Sequence, residues 1–305
     1  MELIKFHEQL QSRRCFARMI SVNHLDELRG EIEGPHRDGQ FDASFYQENL
    51  ANFKYQIPED LPDARSIIVV AKPQPAITTI FHWKGEEVPL IVPPTYADGA
   101  QVDAQVLSIL NDVLQPESYH FVKTRLPLKS LAAHSGLVSY GRNNITYMPK
   151  FGSYHRLTAF FSDFPCQEDN WEERKLMAGC ETCRACLETC PTGAISDDRF
   201  LLRAEKCLTY LNEKESSAAF PNWVDPGTHH AIVGCMRCQR ACPYNKGVNG
   251  WAEIRGEFTE EETAYLMEGN FTGDKAAAME AKLKTIGLDL NIFPRNLAAL
   301  LRLKE

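Results

Sequence analysis

With 305 residues, 44% of them hydrophobic and 24% charged, the chain has the composition of a globular protein that can bury a large core. Its net charge of −8 argues against a function that depends on binding nucleic-acid phosphates, because such binding needs a basic face. No apolar run approaches the roughly 20 residues of a membrane span. The Arg13-Arg14 pair precedes polar and acidic residues rather than the apolar stretch of an export signal, so we predict a cytoplasmic protein.

The first 172 residues are predicted to form an α/β domain. Its predicted elements are helices over residues 2–18, 44–54, 100–114 and 127–135, strands over 66–71 and 157–161, and a hairpin or long loop within 73–99. The run over residues 66–71 is continuous, apolar and rich in β-branched residues, which is typical of a strand buried on both faces.

Two further segments complete the predicted α+β fold. Residues 173–250 hold most of the cysteines and form a predicted ferredoxin-like domain. Residues 251–305 are predicted to be a C-terminal helical segment that packs on the rest. Within it, Thr259 opens a helix through a capping box with Glu262, and residues 294–303 form another helix.

The cysteine spacing predicts two [4Fe–4S] clusters. One motif is C-x2-C-x2-C-x3-C-P, and the other is C-x2-C-x3-C-P preceded by Cys207. In bacterial two-cluster ferredoxins the first three cysteines of a run hold one cluster and the fourth crosses to the other. This rule assigns Cys180, Cys183, Cys186 and Cys242 to cluster 1, and Cys190, Cys235 and Cys238 to cluster 2. Cluster 2 then lacks one ligand, and Cys207, displaced upstream, is predicted to be that ligand.

Structural zinc and a ligand role for Cys166 are the two alternatives to this assignment. Structural zinc prefers two C-x2-C pairs, which an eight-cysteine double run ended by prolines matches poorly. Cys166 competes with Cys207 for the last place, but it precedes the first motif, where the crossed pattern has no vacancy. Cys15 and Cys166 are therefore predicted to be small core residues without iron.

The length of the chain upstream of the cysteines predicts a second redox centre there, because a two-cluster ferredoxin needs only a small domain. The sequence has no G-x-G-x-x-G after a strand, no P-loop and no H-E-x-x-H for that centre. The Asp-x-His-x-x-Gly pattern that supplies a histidine ligand to cobalt in other corrinoid domains is also absent.

Five segments resemble the epoxyqueuosine reductase family. Both cysteine motifs and the Lys206–Leu211 segment between them have the family's residues and intervals. Upstream, the glycine-rich segment Leu131–Asn144 resembles a family segment that usually ends Gly-Lys-Asn, and Gly152-Ser153-Tyr154 follows at the family's distance. The resemblance runs from about residue 60 to the end of the chain.

The resemblance implies a nitroreductase-like domain that binds base-off cobalamin, which is reduced through the two clusters. The candidate cofactor-binding residues in the matching segments are Gly136, Tyr140, Gly141, Arg142, Asn143, Asn144, Gly152, Ser153 and Tyr154. Simpler interpretations stay open, because turn glycines, packed tyrosines and capping asparagines occur in every protein. Flavin is the alternative cofactor, since nitroreductase-like domains bind either group.

The sequence departs from the family in three places. The family's presumed proton donor is the Asp of a Val-Asp-Thr segment, and here that segment is Val122-Lys123-Thr124. Lys123 is therefore the candidate catalytic residue, against the simpler interpretation of a solvated lysine. The family's Asp-Tyr-His segment has no clear counterpart near Tyr96, and the C-terminal helical repeats that help hold tRNA in many members are missing. These departures make epoxyqueuosine in tRNA a doubtful substrate.

We predict an oxidoreductase that takes electrons from a low-potential donor such as ferredoxin or flavodoxin and reduces a small-molecule substrate. A corrinoid-binding protein that reactivates cobalamin for a partner is an alternative, and the loss of the family's Asp would follow naturally from it. An electron carrier without corrinoid is a third possibility. No membrane partner is expected.

Overall fold

The computed structural model describes residues 2–302. The strands are β1 Phe16–Ser21, β2 Ser66–Pro73, β3 Ala76–Trp83, β4 Glu86–Val92, β5 Phe121–Lys123, β6 Ser139–Tyr140, β7 Thr146–Tyr147, β8 His155–Ser162 and β9 Ala252–Phe258. The helices are α1 Leu3–Gln11, α2 Leu25–Arg37, α3 Ala43–Phe45, α4 Gly99–Leu114, α5 Leu128–His134, α6 Ala185–Thr189, α7 Leu208–Glu213, α8 Arg237–Arg240, α9 Glu260–Glu268, α10 Gly273–Lys284 and α11 Phe293–Arg302. The predicted α+β class is confirmed. None of the described helices combines the length and hydropathy that crossing a bilayer requires.

The chain divides into two compact units whose segments alternate along the sequence. The first unit contains the described residues up to Pro73, together with Gln101–Arg184 and Asp198–Leu201. The second unit contains Gln74–Ala100, Ala185–Asp197 and the described residues from Leu202 onward. The sequence analysis divides the chain into three consecutive domains, with boundaries at residues 172 and 250. This division stays a prediction.

The first unit is built around a four-stranded antiparallel sheet with the order β1-β2-β8-β5. Alternate residues of β2 enter different cores, because successive side chains of a strand point to opposite faces. Val69 packs in a core with Leu131 of α5, whereas Val70 packs in a second core with Val106 of α4. All residues from Ser66 to Ala71 are buried, which confirms the prediction of a strand buried on both faces.

The prediction of a helix over residues 2–18 is partly wrong. The helix ends at Gln11, and Phe16–Ser21 pairs with β2 as a strand, because the alternation of buried and half-exposed residues in this stretch suits a sheet edge. Residues 44–54 are helical only as far as Leu50, where a short π-helix ends. The helices predicted over 100–114 and 127–135 and the strand over 157–161 are confirmed.

The second unit contains a three-stranded sheet with the order β4-β3-β9. β3 and β4 form the predicted hairpin over a tight turn at Lys84 and Gly85, which both have positive φ. β9 pairs with β3 in parallel, so the prediction that the chain after residue 251 is entirely helical is wrong there.

The predicted capping box at the start of α9 is confirmed, because the Thr259 side chain accepts from the Glu262 backbone and the Glu262 carboxylate accepts from the Thr259 backbone. The last predicted helix is observed as Phe293–Arg302, and its predicted end at Leu303 lies outside the described residues.

Candidate functional site

The glycine-rich segment of the first unit forms a small hairpin in which β6 pairs with β7. The turn is closed by bonds from the Gly141 amide to the Ile145 carbonyl (2.8 Å) and from the Asn144 amide to the Gly141 carbonyl (3.0 Å). A Cβ atom at Gly141 would lie 2.7 Å from both the Asn143 Oδ1 and the Tyr147 Cε2 atoms. Real Cβ atoms essentially never approach so closely, so this turn requires glycine at position 141.

Four of the predicted cofactor-binding side chains are buried in the protein interior. Tyr140, Asn143, Ser153 and Tyr154 are each at most 4% exposed. The Asn143 amide donates to the Tyr147 hydroxyl at 2.8 Å. Burial raises the pKa of Tyr140, and hydrogen bonds with the side chains of Ser130 and Arg174 only partly oppose this effect. The Asn143 side chain therefore links the turn to Tyr147, and the four buried side chains do not face solvent.

Gly136 and Gly152 adopt positive φ angles of 70° and 52°, the left-handed region that favours glycine. Gly136 is exposed, and nothing lies within 4 Å of a Cβ added there. Gly152 exchanges two backbone bonds with Met148, and its carbonyl lies 3.2 Å from the Nδ1 atom of His155. Burial lowers the pKa of His155 to about 4, so this buried ring is neutral near pH 7.

Arg142 extends from the hairpin to the first cysteine loop. Its Nη2 atom donates to the Cys180 carbonyl at 2.7 Å and lies 3.4 Å from the Glu181 carbonyl. The guanidinium therefore pairs with the backbone of a predicted cluster ligand within the same compact unit. The cofactor-binding role of Arg142 stays a prediction.

Lys123 lies at the end of β5 and forms an ion pair that the sequence analysis missed. Its Nζ atom is 2.6 Å from the Oδ2 atom of Asp103 on α4, and Arg156 of β8 binds the other oxygen of that carboxylate at 2.8 Å. Burial opposes ionisation of Asp103, but the hydrogen bonds from Arg156 and Lys123 outweigh it and hold the pKa of the carboxyl below its ordinary value. No spacing rule connects three residues on one helix and two different strands.

Lys123 and the glycine-rich segment lie on opposite faces of the sheet. Lys123 is directly opposite Phe160 in the ladder, and Phe160 packs in the core that contains α4. Leu137 and Val138 of the glycine-rich segment pack in the other core with Ala159. Residues opposite each other in a ladder share a face, so the structure does not bring the Lys123 side chain together with that segment.

Three predicted ligands of cluster 2 are close together in the second unit. Burial raises the pKa of Cys235 to about 11, and the nearby thiols of Cys207 and Cys190 add to this effect. Burial likewise raises the pKa of Cys207, with a further contribution from Cys190. Cys166 lies in the first unit, where its thiol donates to the Glu168 carbonyl at 3.5 Å. The three cysteines of the second unit thus interact electrostatically, and the assignment of Cys207 to cluster 2 stays a prediction.

The short helices of the two cysteine motifs pack against each other within the second unit, since α6 carries Cys186 and contacts α8, which carries Cys238. Among residues 2–302, no group of three or more His, Cys, Asp or Glu side chains is arranged to hold a metal ion as it stands. An iron–sulfur cluster takes one thiolate at each of its irons, and three mutually interacting thiols provide that donor chemistry. The cysteines around Cys207 therefore fit such a cluster.

Comparison with protein families identifies the cysteine-rich region. Residues 179–245 match the family described as a 4Fe-4S double cluster binding domain. This match confirms the prediction of two [4Fe–4S] clusters. Together, the mixed helix and strand fold and the cysteine set define a two-cluster iron–sulfur protein.

Curated relatives of the chain include epoxyqueuosine reductases. The Staphylococcus aureus enzyme is 26% identical over 238 residues, which are 75% of this chain and 60% of that protein's length. The chain therefore spans less than two thirds of that relative. The resemblance to the epoxyqueuosine reductase family, which the sequence motifs indicated, is confirmed.

Two solved structures share the fold across nearly the whole chain. Epoxyqueuosine reductase from Streptococcus thermophilus has a TM-score of 0.71 at 17% identity and covers 99% of this chain and 81% of its own. An epoxyqueuosine reductase bound to a tRNA-Tyr stem loop carrying epoxyqueuosine has a TM-score of 0.69 at 19% identity and covers 98% and 80%. At these identities the likeness establishes the fold.

Proposed function

We propose that the protein is a cobalamin- and iron–sulfur-dependent reductase that delivers single electrons through two [4Fe–4S] clusters to a base-off corrinoid. The observation that carries this proposal is the group formed by Cys190, Cys207 and Cys235, in a region that matches a double-cluster domain. The shared fold with epoxyqueuosine reductases supports the corrinoid part.

The residues of this chain would hold and orient the two kinds of cofactor. Cys180, Cys183, Cys186 and Cys242 would bind cluster 1, and Cys190, Cys207, Cys235 and Cys238 would bind cluster 2, as the spacing predicts. The clusters supply low-potential electrons, and the corrinoid supplies the reducing centre for the substrate. The buried side chains of the glycine-rich segment fix its backbone, which would contact the corrinoid around the exposed Gly136.

The assignment of Cys207 is tested with a matched pair of variants. After anaerobic reconstitution, Cys207→Ser is expected to lose iron and the signal of one cluster, because one of its four thiolates is missing. Cys166→Ser is expected to keep the full iron content, because its thiol donates to the Glu168 carbonyl and the crossed pattern has no vacancy before the first motif. Full iron in Cys207→Ser together with loss in Cys166→Ser would reverse the assignment.

The catalytic role that the resemblance implies for Lys123 stays a prediction, and the placement of its side chain argues against it, because Asp103 and Arg156 hold the ammonium group on the face of the sheet opposite to the glycine-rich segment. In Lys123→Ala, cobalt reduction and substrate turnover are therefore both expected to survive. The matched control is Arg13→Ala, which removes a comparable ion pair of 2.9 Å with Asp112 on the same helix. A fall in turnover with cobalt reduction intact would contradict this expectation and assign Lys123 the catalytic role, whereas a wild-type protein that reduces cobalamin but turns over no substrate would favour the alternative in which it serves a partner.

Epoxyqueuosine in tRNA is the second candidate substrate, because the relatives are named epoxyqueuosine reductase and one of them was solved with the modified tRNA stem loop. Against it stand the replacement of the family's Asp by Lys123 and the net charge of −8. Expression of this chain in a queuosine-deficient strain separates the two substrates. Restored queuosine would make tRNA the substrate, and its absence with cobalt reduction intact would favour a small molecule.

A further inference from the structure

The hairpin that carries Arg142 is joined to the segment that leads into Cys180. Tyr140 forms a parallel bridge with Leu176, and the Met177 amide donates to the Tyr140 carbonyl at 2.8 Å. The Cys180 amide in turn donates to the Met177 carbonyl at 2.8 Å. A backbone bridge and one turn bond therefore connect the glycine-rich segment to the first predicted iron ligand, all within the first compact unit.

Arg142 adds a cationic link to this backbone connection. The backbone at Arg142 is constrained, because Gly141 and Asn144 close the turn around it and the Asn143 side chain is hydrogen-bonded to Tyr147. The guanidinium spans the two successive carbonyls of Cys180 and Glu181 at 2.7 and 3.4 Å. A planar guanidinium has several donors in a fixed arrangement and can serve both acceptors, whereas a lysine ammonium is a compact charge on a flexible stem.

We infer that Arg142 is a positioning residue for the Cys180 loop that also raises the reduction potential of the cluster bound by Cys180. The inference rests on the proposed cluster-binding function of this chain. Each one-electron reduction adds a negative charge to a cluster, and a cation held beside a ligand stabilises the reduced form. Charge and hydrogen bonding around the sulfurs are the main means by which proteins tune such potentials.

The test is an anaerobic redox titration of the reconstituted protein, followed by electron paramagnetic resonance at each potential. In Arg142→Ala, the reduction equilibrium of one cluster is expected to become about tenfold less favourable. For one electron this corresponds to a reduction potential more negative by about 59 mV. The other cluster is expected to keep its wild-type potential. Arg142→Lys keeps the charge but loses the two-carbonyl contact, so its shift is expected to lie between those of the wild type and Arg142→Ala.

The matched control is Arg199→Ala. Arg199 lies in the same compact unit, and its Nη2 atom also donates to a backbone carbonyl at 2.7 Å, but that carbonyl belongs to Gln40 rather than to a cysteine loop. Both cluster potentials are expected to stay unchanged in this variant. If Arg142→Ala does not retain iron, the cluster potentials of Arg142→Lys alone test the inference.

Unchanged potentials in both Arg142 variants, or equal shifts of the two clusters, would overturn the inference. A wild-type protein that holds fewer than two clusters would instead overturn the proposed function, since that result is seen before any variant is made.

Discussion

Replacing Gly141 with alanine should destabilise the protein through one identifiable collision. The added methyl group would lie 2.7 Å from both the Asn143 Oδ1 and the Tyr147 Cε2 atoms. Forcing an extra methyl into a packed site costs about 1–3 kcal/mol, and loss of the Asn143–Tyr147 hydrogen bond adds about 1 kcal/mol. We therefore expect Gly141→Ala to lower the free energy of unfolding by about 2–4 kcal/mol.

The assay is urea unfolding followed by circular dichroism, with Gly30→Ala as the matched control. Gly30 lies in α2, is exposed and has nothing within 4 Å of an added Cβ, so alanine there should stabilise the helix by about 0.5–1 kcal/mol. The two variants should thus shift the unfolding midpoint in opposite directions. A Gly141→Ala protein as stable as the wild type would refute the argument that this turn requires glycine.

Three further predictions concern other parts of the first and second units. Because the pKa of His155 is about 4 when folded and 6.5 when unfolded, its contribution to stability is complete above pH 6.5 and is lost as the pH falls towards 4. Between pH 7 and 4, the free energy of unfolding measured with urea should therefore fall further in the wild type than in His155→Gln, by on the order of 3 kcal/mol. Equal falls in the two proteins would contradict this. Thr259→Ala removes one half of the capping box and should cost about 1 kcal/mol in the same assay, whereas no change would mean that the Glu262 side chain caps α9 alone. Lys123→Asp places a carboxylate beside Asp103 and should be less stable at pH 7 than Lys123→Asn by about 1 kcal/mol, a difference that Asp103→Asn should remove.

The sequence predicted the elements that local pattern controls. The run of β-branched residues over 66–71, the capping box at Thr259 and the hairpin within residues 73–99 all depend on neighbours within a few positions. Spacing rules of the same local kind predicted the cysteine clusters, because each loop wraps its iron with residues two or three apart.

The parts that sequence did not predict depend on long-range pairing. β9 joins the sheet only because β3, more than 170 residues earlier, provides an edge for it, and its own residues are mostly exposed. The partners of Lys123 and of Arg142 come from separate segments, so no periodicity connects them. The burial of Tyr140 and Tyr154 is likewise a property of the folded core, and it changes how the glycine-rich segment can meet a ligand.

The most direct test of the proposed function is an anaerobic titration of the reconstituted protein with cob(II)alamin, followed by electron paramagnetic resonance. The account predicts saturable binding and a base-off cobalt signal beside the signals of two [4Fe–4S] clusters. Intact cluster signals without cobalamin binding would contradict it and leave an electron carrier or a flavin enzyme.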